Sequence, residues 1–199
     1  MDGLTATHAL TSDTMRPGAL ANLLEVAKIE AIFPPTGRIL LGSWTTEFGE
    51  LNQLHRLWKI SQGAQTCESL ARPEGLQHRT ERVLQERRPT LSKNSGPFIY
   101  EMRYYQLKPG LVEDFLELLL AHFELRETWS KAVGLWVPHN GQINEVIHIW
   151  YYRDLVHRAQ TRSASAADPV WEAYRQKVLP MLTNQRSVLL SPTAFSPMK

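Results

Sequence analysis

The stretch Ala132-Val133-Gly134-Leu135-Trp136-Val137-Pro138-His139-Asn140-Gly141-Gln142-Ile143-Asn144-Glu145-Val146-Ile147-His148-Ile149-Trp150 sets two apolar runs on either side of an Asn-Gly pair. Asn-Gly between such runs is the strongest short hairpin signal, so Ala132 to Pro138 and Glu145 to Tyr152 read as strands. The same landmarks occur once before. Gly42-x-Trp44 precedes Gly134-x-Trp136 by 92 residues, and Gly49-x-x-Asn52 with Trp58 precedes Gly141-x-x-Asn144 with Trp150 in the same register. Upstream, Pro17-Gly18 with Leu23-Leu24-Glu25 keeps that offset from Pro109-Gly110 with Phe115-Leu116-Glu117. Two pairs of so rare a residue as tryptophan in one ungapped register mark an internal duplication. Residues 1–92 read as a first, degraded repeat, 93–97 as a linker rich in turn formers, and 98–199 as the second repeat.

The second repeat is the more legible. Phe98 to Leu107 alternates Glu101, Arg103 and Tyr105 with Tyr100, Met102 and Tyr104, the period of a strand. After Pro109-Gly110, the spacing of Leu111, Phe115, Leu118, Leu119 and Phe123 predicts an amphipathic helix. Beyond the hairpin, a helix is expected over about Asp154 to Ala166. A second is opened by Asp168-Pro169 and runs toward Leu179, and Arg186 to Leu190 forms a closing strand. Strand, helix, strand, strand, helix, strand is the ferredoxin-like plan. Helices cover one face of such a sheet and leave the other bare, so two tandem ferredoxin-like units are expected to pack bare face to bare face as a pseudo-two-fold α+β barrel. The first repeat is harder to read. Ala9 to Thr14 has few strand formers, Pro34-Pro35 cuts its helix, and Arg79 to Arg88 (RTERVLQERR) mixes signs like a solvated helix face, leaving little for a fourth strand.

Composition narrows the function. The 199 residues are 43% hydrophobic and 21% charged, as in a folded globular protein. The formal charge of +2 is divided evenly between the halves, too weak a field to concentrate nucleic acid. The longest apolar stretch, Leu116 to Leu125, is broken by Glu117, His122 and Glu124, so no membrane span is expected. The opening MDGLTATHALTSDT has neither the apolar core of a signal peptide nor the basic residues of a transit peptide, and a lone Cys67 suits a reducing compartment. These features point to the cytoplasm.

The second repeat resembles the NIPSNAP domain through Tyr100-Glu101-Met102-Arg103-x-Tyr105-x-Leu107-Lys108-Pro109-Gly110, Val133-Gly134-x-Trp136 and Gly141-x-x-Asn144-x-Val146-x-His148-Ile149-Trp150-x-Tyr152. The tail Pro192-Thr193-x-Phe195-Ser196-Pro197-x-Lys199 is similar to that of eukaryotic members. The resemblance implies a dimeric α+β barrel fold, a mitochondrial location as the alternative to the cytoplasm, and a binding or scaffold role with no settled reaction. The fold is shared with cofactor-free monooxygenases, haem-degrading enzymes and small-molecule binders, so it does not choose among them.

The residues favour one face. His148 shares strand parity with Asn144, Val146 and Trp150, and its imidazole could act as a base or orient a ligand. The competing view is a buried histidine with a local partner. Glu101, Arg103 and Tyr105 could present a charge, its partner and a phenol to a polar ligand, or form a satisfied ion pair. Trp136 and Trp150 are read as core with a possible stacking role, and Asn144 as a turn residue beside a site. The binding set is therefore Glu101, Arg103, Tyr105, Trp136, Asn144, His148 and Trp150. Their counterparts Ala9, Thr11 and Asp13, with Arg56 at the His148 position, make any pocket asymmetric. The leading expectation is a binding module for a protein partner or small-molecule ligand, able to form a homo-oligomer. The alternative is a cofactor-independent enzyme of monooxygenase or isomerase type, using His148, Arg103 and Tyr105 in a pocket inside the barrel. No cofactor is implied, the seven histidines lack metal-ligand spacing, and Cys67 reads as a structural thiol.

Overall fold

A computed structural model describes residues 7–61 and 70–199; Cys67 lies outside the described residues. The first half builds β1 (His8–Met15), α1 (Leu20–Ile32), β2 (Arg38–Phe48), β3 (Gln53–Ile60) and β4 (Leu76–Arg88). The second builds β5 (Ile99–Leu107), α2 (Val112–Ala121), α3 (Phe123–Glu127), β6 (Ala132–Pro138), β7 (Glu145–Tyr152), α4 (Leu155–Ala167), α5 (Pro169–Val178) and β8 (Leu182–Pro192). The strands close into a barrel in the order β1-β3-β2-β8-β5-β7-β6-β4. Cut at the β2–β8 and β4–β6 seams, the ring falls into β4-β1-β3-β2 and β8-β5-β7-β6, the same ferredoxin-like order twice. Both seams are antiparallel, so the second strand of each half completes the edge left by the fourth strand of the other.

Strand alternation sorts the side chains. Tyr100, Met102 and Tyr104 point into the barrel with Leu10, Trp44, Leu57, Leu84, Trp136, Ile147, Ile149 and Leu190, and together they fill it. Phe115, Leu119, Phe123, Val146 and Trp150 form a separate cluster between the second half's sheet and its helices. Of the repeated tryptophans, Trp44 and Trp136 thus belong to the interior, while Trp58 and Trp150 lie under helices. The Gly-x-Trp motif has a steric cause: a Cβ on Gly134 would stand 2.5 Å from the Trp136 ring, and one on Gly42 would stand 2.0 Å from a Trp44 ring carbon. The strand register also shifts beside each of these glycines. Asn52 and Asn144 hold left-handed backbone, with φ of 58° and 56°, and their carbonyls accept hydrogen bonds from Met15 and Leu107. The C-terminal tail returns to the barrel, burying Met198 in its core and accepting a hydrogen bond from the Tyr100 hydroxyl at the Lys199 carbonyl, 2.9 Å away.

Three expectations need correction. Arg79 to Arg88 is not a helix face but most of β4, and the first half has its fourth strand. The run looks solvated in sequence because its partners are remote: Arg79 pairs with Asp13, Arg82 with Glu145 at 2.8 Å, and Arg38 with Glu81 at 2.7 Å. Ala9 to Thr14 lies within β1 despite weak propensity, because strands pair with it on both sides. The closing strand β8 is longer than Arg186 to Leu190, extended by pairing along β5. Helix α1 does stop at Ile32, ahead of Pro34. Among the described residues no helix is long and apolar enough to cross a membrane.

Two measurements check this packing. Gly134→Ala forces the Trp136 indole out of place and should lower stability by roughly 1–3 kcal/mol in chemical denaturation; wild-type stability would contradict the contact. His55 is buried between the Ser12 and Thr46 hydroxyls at 2.8 and 3.1 Å, and its pKa is pushed down to about 4 by burial first and then by the Arg186 charge. The unfolded chain takes up the proton more readily, so this stability is full above about pH 6.5 and is lost as pH falls toward 4. Between pH 7.5 and 5 the loss from His55 is about 2 kcal/mol, and His55→Gln should flatten the stability profile.

Candidate functional site

On the second half's outer face, β5, β7 and β8 are spanned by α2, α4 and α5, and a cavity of about 230 Å³ remains between the layers. The N-terminus of α5 sets one wall. Asp168 caps it, accepting hydrogen bonds from the backbone of Val170 and Trp171, both at 2.9 Å, with Pro169 starting the first turn. That places Trp171 and Tyr174 on the cavity side, their rings 4.6 Å apart. On α4, the small Ser165 and Ala166 line the opening and leave room.

Strand β7 contributes His148 and Trp150, and β5 contributes Arg103 and Tyr105; Arg103 stands directly across from His148. The Trp150 indole N–H donates to Nδ1 of His148, so the neutral ring carries its proton on Nε2. Nε2 is buried and has no hydrogen-bond partner among the described residues. The Tyr105 ring stacks on the imidazole at 4.9 Å with planes 5° apart. Burial above all, then the charges of Arg103 and Arg126, hold the pKa of His148 well below its ordinary value. His148 is thus a neutral hydrogen-bond donor at physiological pH.

The cavity is rich in positive charge, set against the single buried carboxylate of Glu101. Arg103 lies 5.4 Å from the Tyr105 ring centre and has no carboxylate in ion-pair contact among the described residues. Glu101 is nearby, but its oxygens take up Arg158 at 2.8 Å and the Tyr152 hydroxyl at 3.0 Å. Burial works against its charge, yet the Arg158 hydrogen bond and the Arg103 charge keep its pKa below the usual carboxylate value. Arg126, 4.2 Å from the Trp150 ring centre, spends its donors on the hydroxyls of Ser130 and Tyr152, at 2.8 and 3.2 Å. Burial lowers its pKa.

Of the residues singled out in the sequence, Arg103, Tyr105, His148 and Trp150 line the cavity. Glu101 shares their face but does not line the cavity. Trp136 belongs to the barrel core, and Asn144 to the β6–β7 turn, so neither reaches the site. The cavity is not inside the barrel, whose interior is packed; it lies on the opposite face of the same sheet, under the helices. The sequence reading missed Arg126, Trp171 and Tyr174. The Asp168-Pro169 cap could have placed Trp171 and Tyr174 on one helix face, whereas nothing local marks Arg126. Among the described residues no group of three or more histidine, cysteine or acidic side chains is arranged to hold a metal. Nitrogen NMR should find His148 neutral, with its proton on Nε2, through the pH range around 6.5 in which an ordinary histidine titrates; titration near pH 6.5 would contradict the buried site.

Comparison with known proteins agrees with the geometry. The NIPSNAP family model matches residues 100–197. Protein NipSnap of Drosophila melanogaster is 27% identical over 96% of this chain and 78% of its own length. The chain spans 62% of the length of NipSnap homolog 2 from zebrafish and human. An uncharacterised NIPSNAP domain protein from Burkholderia xenovorans, of known structure, is 36% identical over 49% of this chain and 96% of its own, with a TM-score of 0.47. A candidate monooxygenase from Lactobacillus acidophilus shares the fold over 94% of this chain and 93% of its own at 13% identity, with a TM-score of 0.69. With residues 100–197 matched by the family model and an uncharacterised NIPSNAP domain protein 36% identical over 96% of its own length, this chain belongs to the NIPSNAP family.

Proposed function

We propose that the chain is a small-molecule-binding protein that holds a compact ligand in the cavity between the sheet of its second half and helices α2, α4 and α5. The observation that carries this reading is that His148, which lines that cavity, has a buried Nε2–H without a partner among the described residues. Buried donors in native proteins are almost always paired, and one left open beside a cavity suits a visiting acceptor. The volume, about 230 Å³, lies below the roughly 300–1,000 Å³ of pockets for drug-sized molecules and suits a ligand of one or two rings.

Binding is favoured over catalysis by the state of His148. A general base needs a free lone pair near its operating pH. Here the Nδ1 lone pair accepts from Trp150, and protonation would create a third cation beside Arg103 and Arg126. The likeness to a candidate monooxygenase extends to the fold alone.

A screen of compact aromatic probes by protein NMR tests the proposal. Binders should shift resonances of Tyr105, His148, Trp171 and Tyr174, and Ala166→Trp at the cavity opening should weaken them at least about tenfold. Probes that perturb only other surfaces, or that bind Ala166→Trp unchanged, would contradict it.

A further inference from the structure

We infer that the ligand of this cavity is an organic anion whose carboxylate takes, in the second half, the place that the chain's own carboxylates fill in the first. The inference deepens the binding role proposed above and rests on it. Its warrant is a comparison within one molecule. Thr11 faces Arg56 across β1 and β3 as Arg103 faces His148 across β5 and β7. Asp13 faces Arg79 across β1 and β4 as Tyr105 faces Gln185 across β5 and β8. The two outer faces can therefore be read position against position.

In the first half this layer is closed by charge. Arg56 is fully buried and pairs with Asp13 at 2.7 Å and with Glu30, while Asp13 also receives Arg79. Two guanidinium groups thus meet two carboxylates from the same chain. In the second half, Tyr105 replaces Asp13 and His148 replaces Arg56. The arginines are now Arg103 and Arg126, and neither is in ion-pair contact with a carboxylate among the described residues; Glu101, which stands where the first half has Ala9, spends its oxygens on Arg158 and the Tyr152 hydroxyl. One buried carboxylate at a distance from two guanidinium groups leaves them without a bonded partner, and a carboxylate from outside the chain supplies one. It could accept paired hydrogen bonds from Arg103, in the fork geometry that arginine offers, and a third from Nε2 of His148. The remaining wall, formed by Phe115, Leu119, Trp171 and Tyr174, suits an aromatic or apolar body.

Three probes separate the terms: benzoate, its neutral counterpart benzamide, and inorganic phosphate, each titrated at pH 7 with NMR detection at the cavity. Benzoate should bind at least about tenfold tighter than benzamide, with phosphate weaker than benzoate. Arg103→Gln should abolish the preference for benzoate while leaving benzamide binding within a few-fold, and Arg103→Lys should restore part of it. Without any probe, Arg103→Gln should melt at or above the wild-type temperature, and Arg56→Gln below it. Equal binding of benzoate and benzamide would overturn the anion inference while leaving the cavity's binding role standing. Phosphate as tight as benzoate would overturn the organic part. A marked loss of stability in Arg103→Gln would show that the chain already satisfies this arginine, and would overturn the inference. Absence of cavity shifts with all three probes would overturn the binding role itself.

Discussion

The structure depends on one constraint: a four-stranded sheet with helices on one face leaves an apolar face and two open edges that cannot stay exposed to water. Two copies in one chain satisfy both needs together. The bare faces meet to form the barrel core, and the seams β2–β8 and β4–β6 pair the edges. With Trp44, Trp136, Tyr100 and their neighbours packed in the interior, the cavity described above lies on the outer face. Alternation along β5 and β7 then decides which residues appear there: Arg103, Tyr105, His148 and Trp150.

The duplication also gives the two halves different outer layers. Both halves bury arginine between sheet and helix. In the first, Asp13 and Glu30 neutralise it, and the layer closes around an internal salt-bridge network. In the second, the buried carboxylate of Glu101 is taken up by Arg158 and the Tyr152 hydroxyl, a cavity remains between sheet and helices, and His148 accepts from the Trp150 indole. A packed core and a cavity thus coexist in one barrel without competing for the same side chains. The exchange of Asp13 for Tyr105 and Arg56 for His148 separates a salt-bridged layer from one that keeps a cavity.

Much of this was legible in the sequence, for identifiable reasons. The offset between Gly-x-Trp motifs reports a close contact of each indole with its glycine, which tolerates no Cβ, so the motif survives in both copies. The hairpin after Pro138 and the cap at Asp168 are local signals, and local signals transfer well from sequence to structure. What escaped was non-local. Strand β4 is written in charges whose partners, Asp13, Arg38 and Glu145, lie far along the chain, so it imitates a solvated helix. Parity grouped His148 with Trp150 but could not say which side of the sheet was covered by helices. Arg126 reaches the cavity only because α3 turns it back over Trp150.

The most direct test of the central claim is a crystal structure of the protein soaked with benzoate at neutral pH. The account predicts density for the carboxylate between Arg103 and Nε2 of His148, with the ring toward Trp171 and Tyr174, and none in the corresponding layer around Arg56. Density inside the barrel, or in both halves alike, would contradict it.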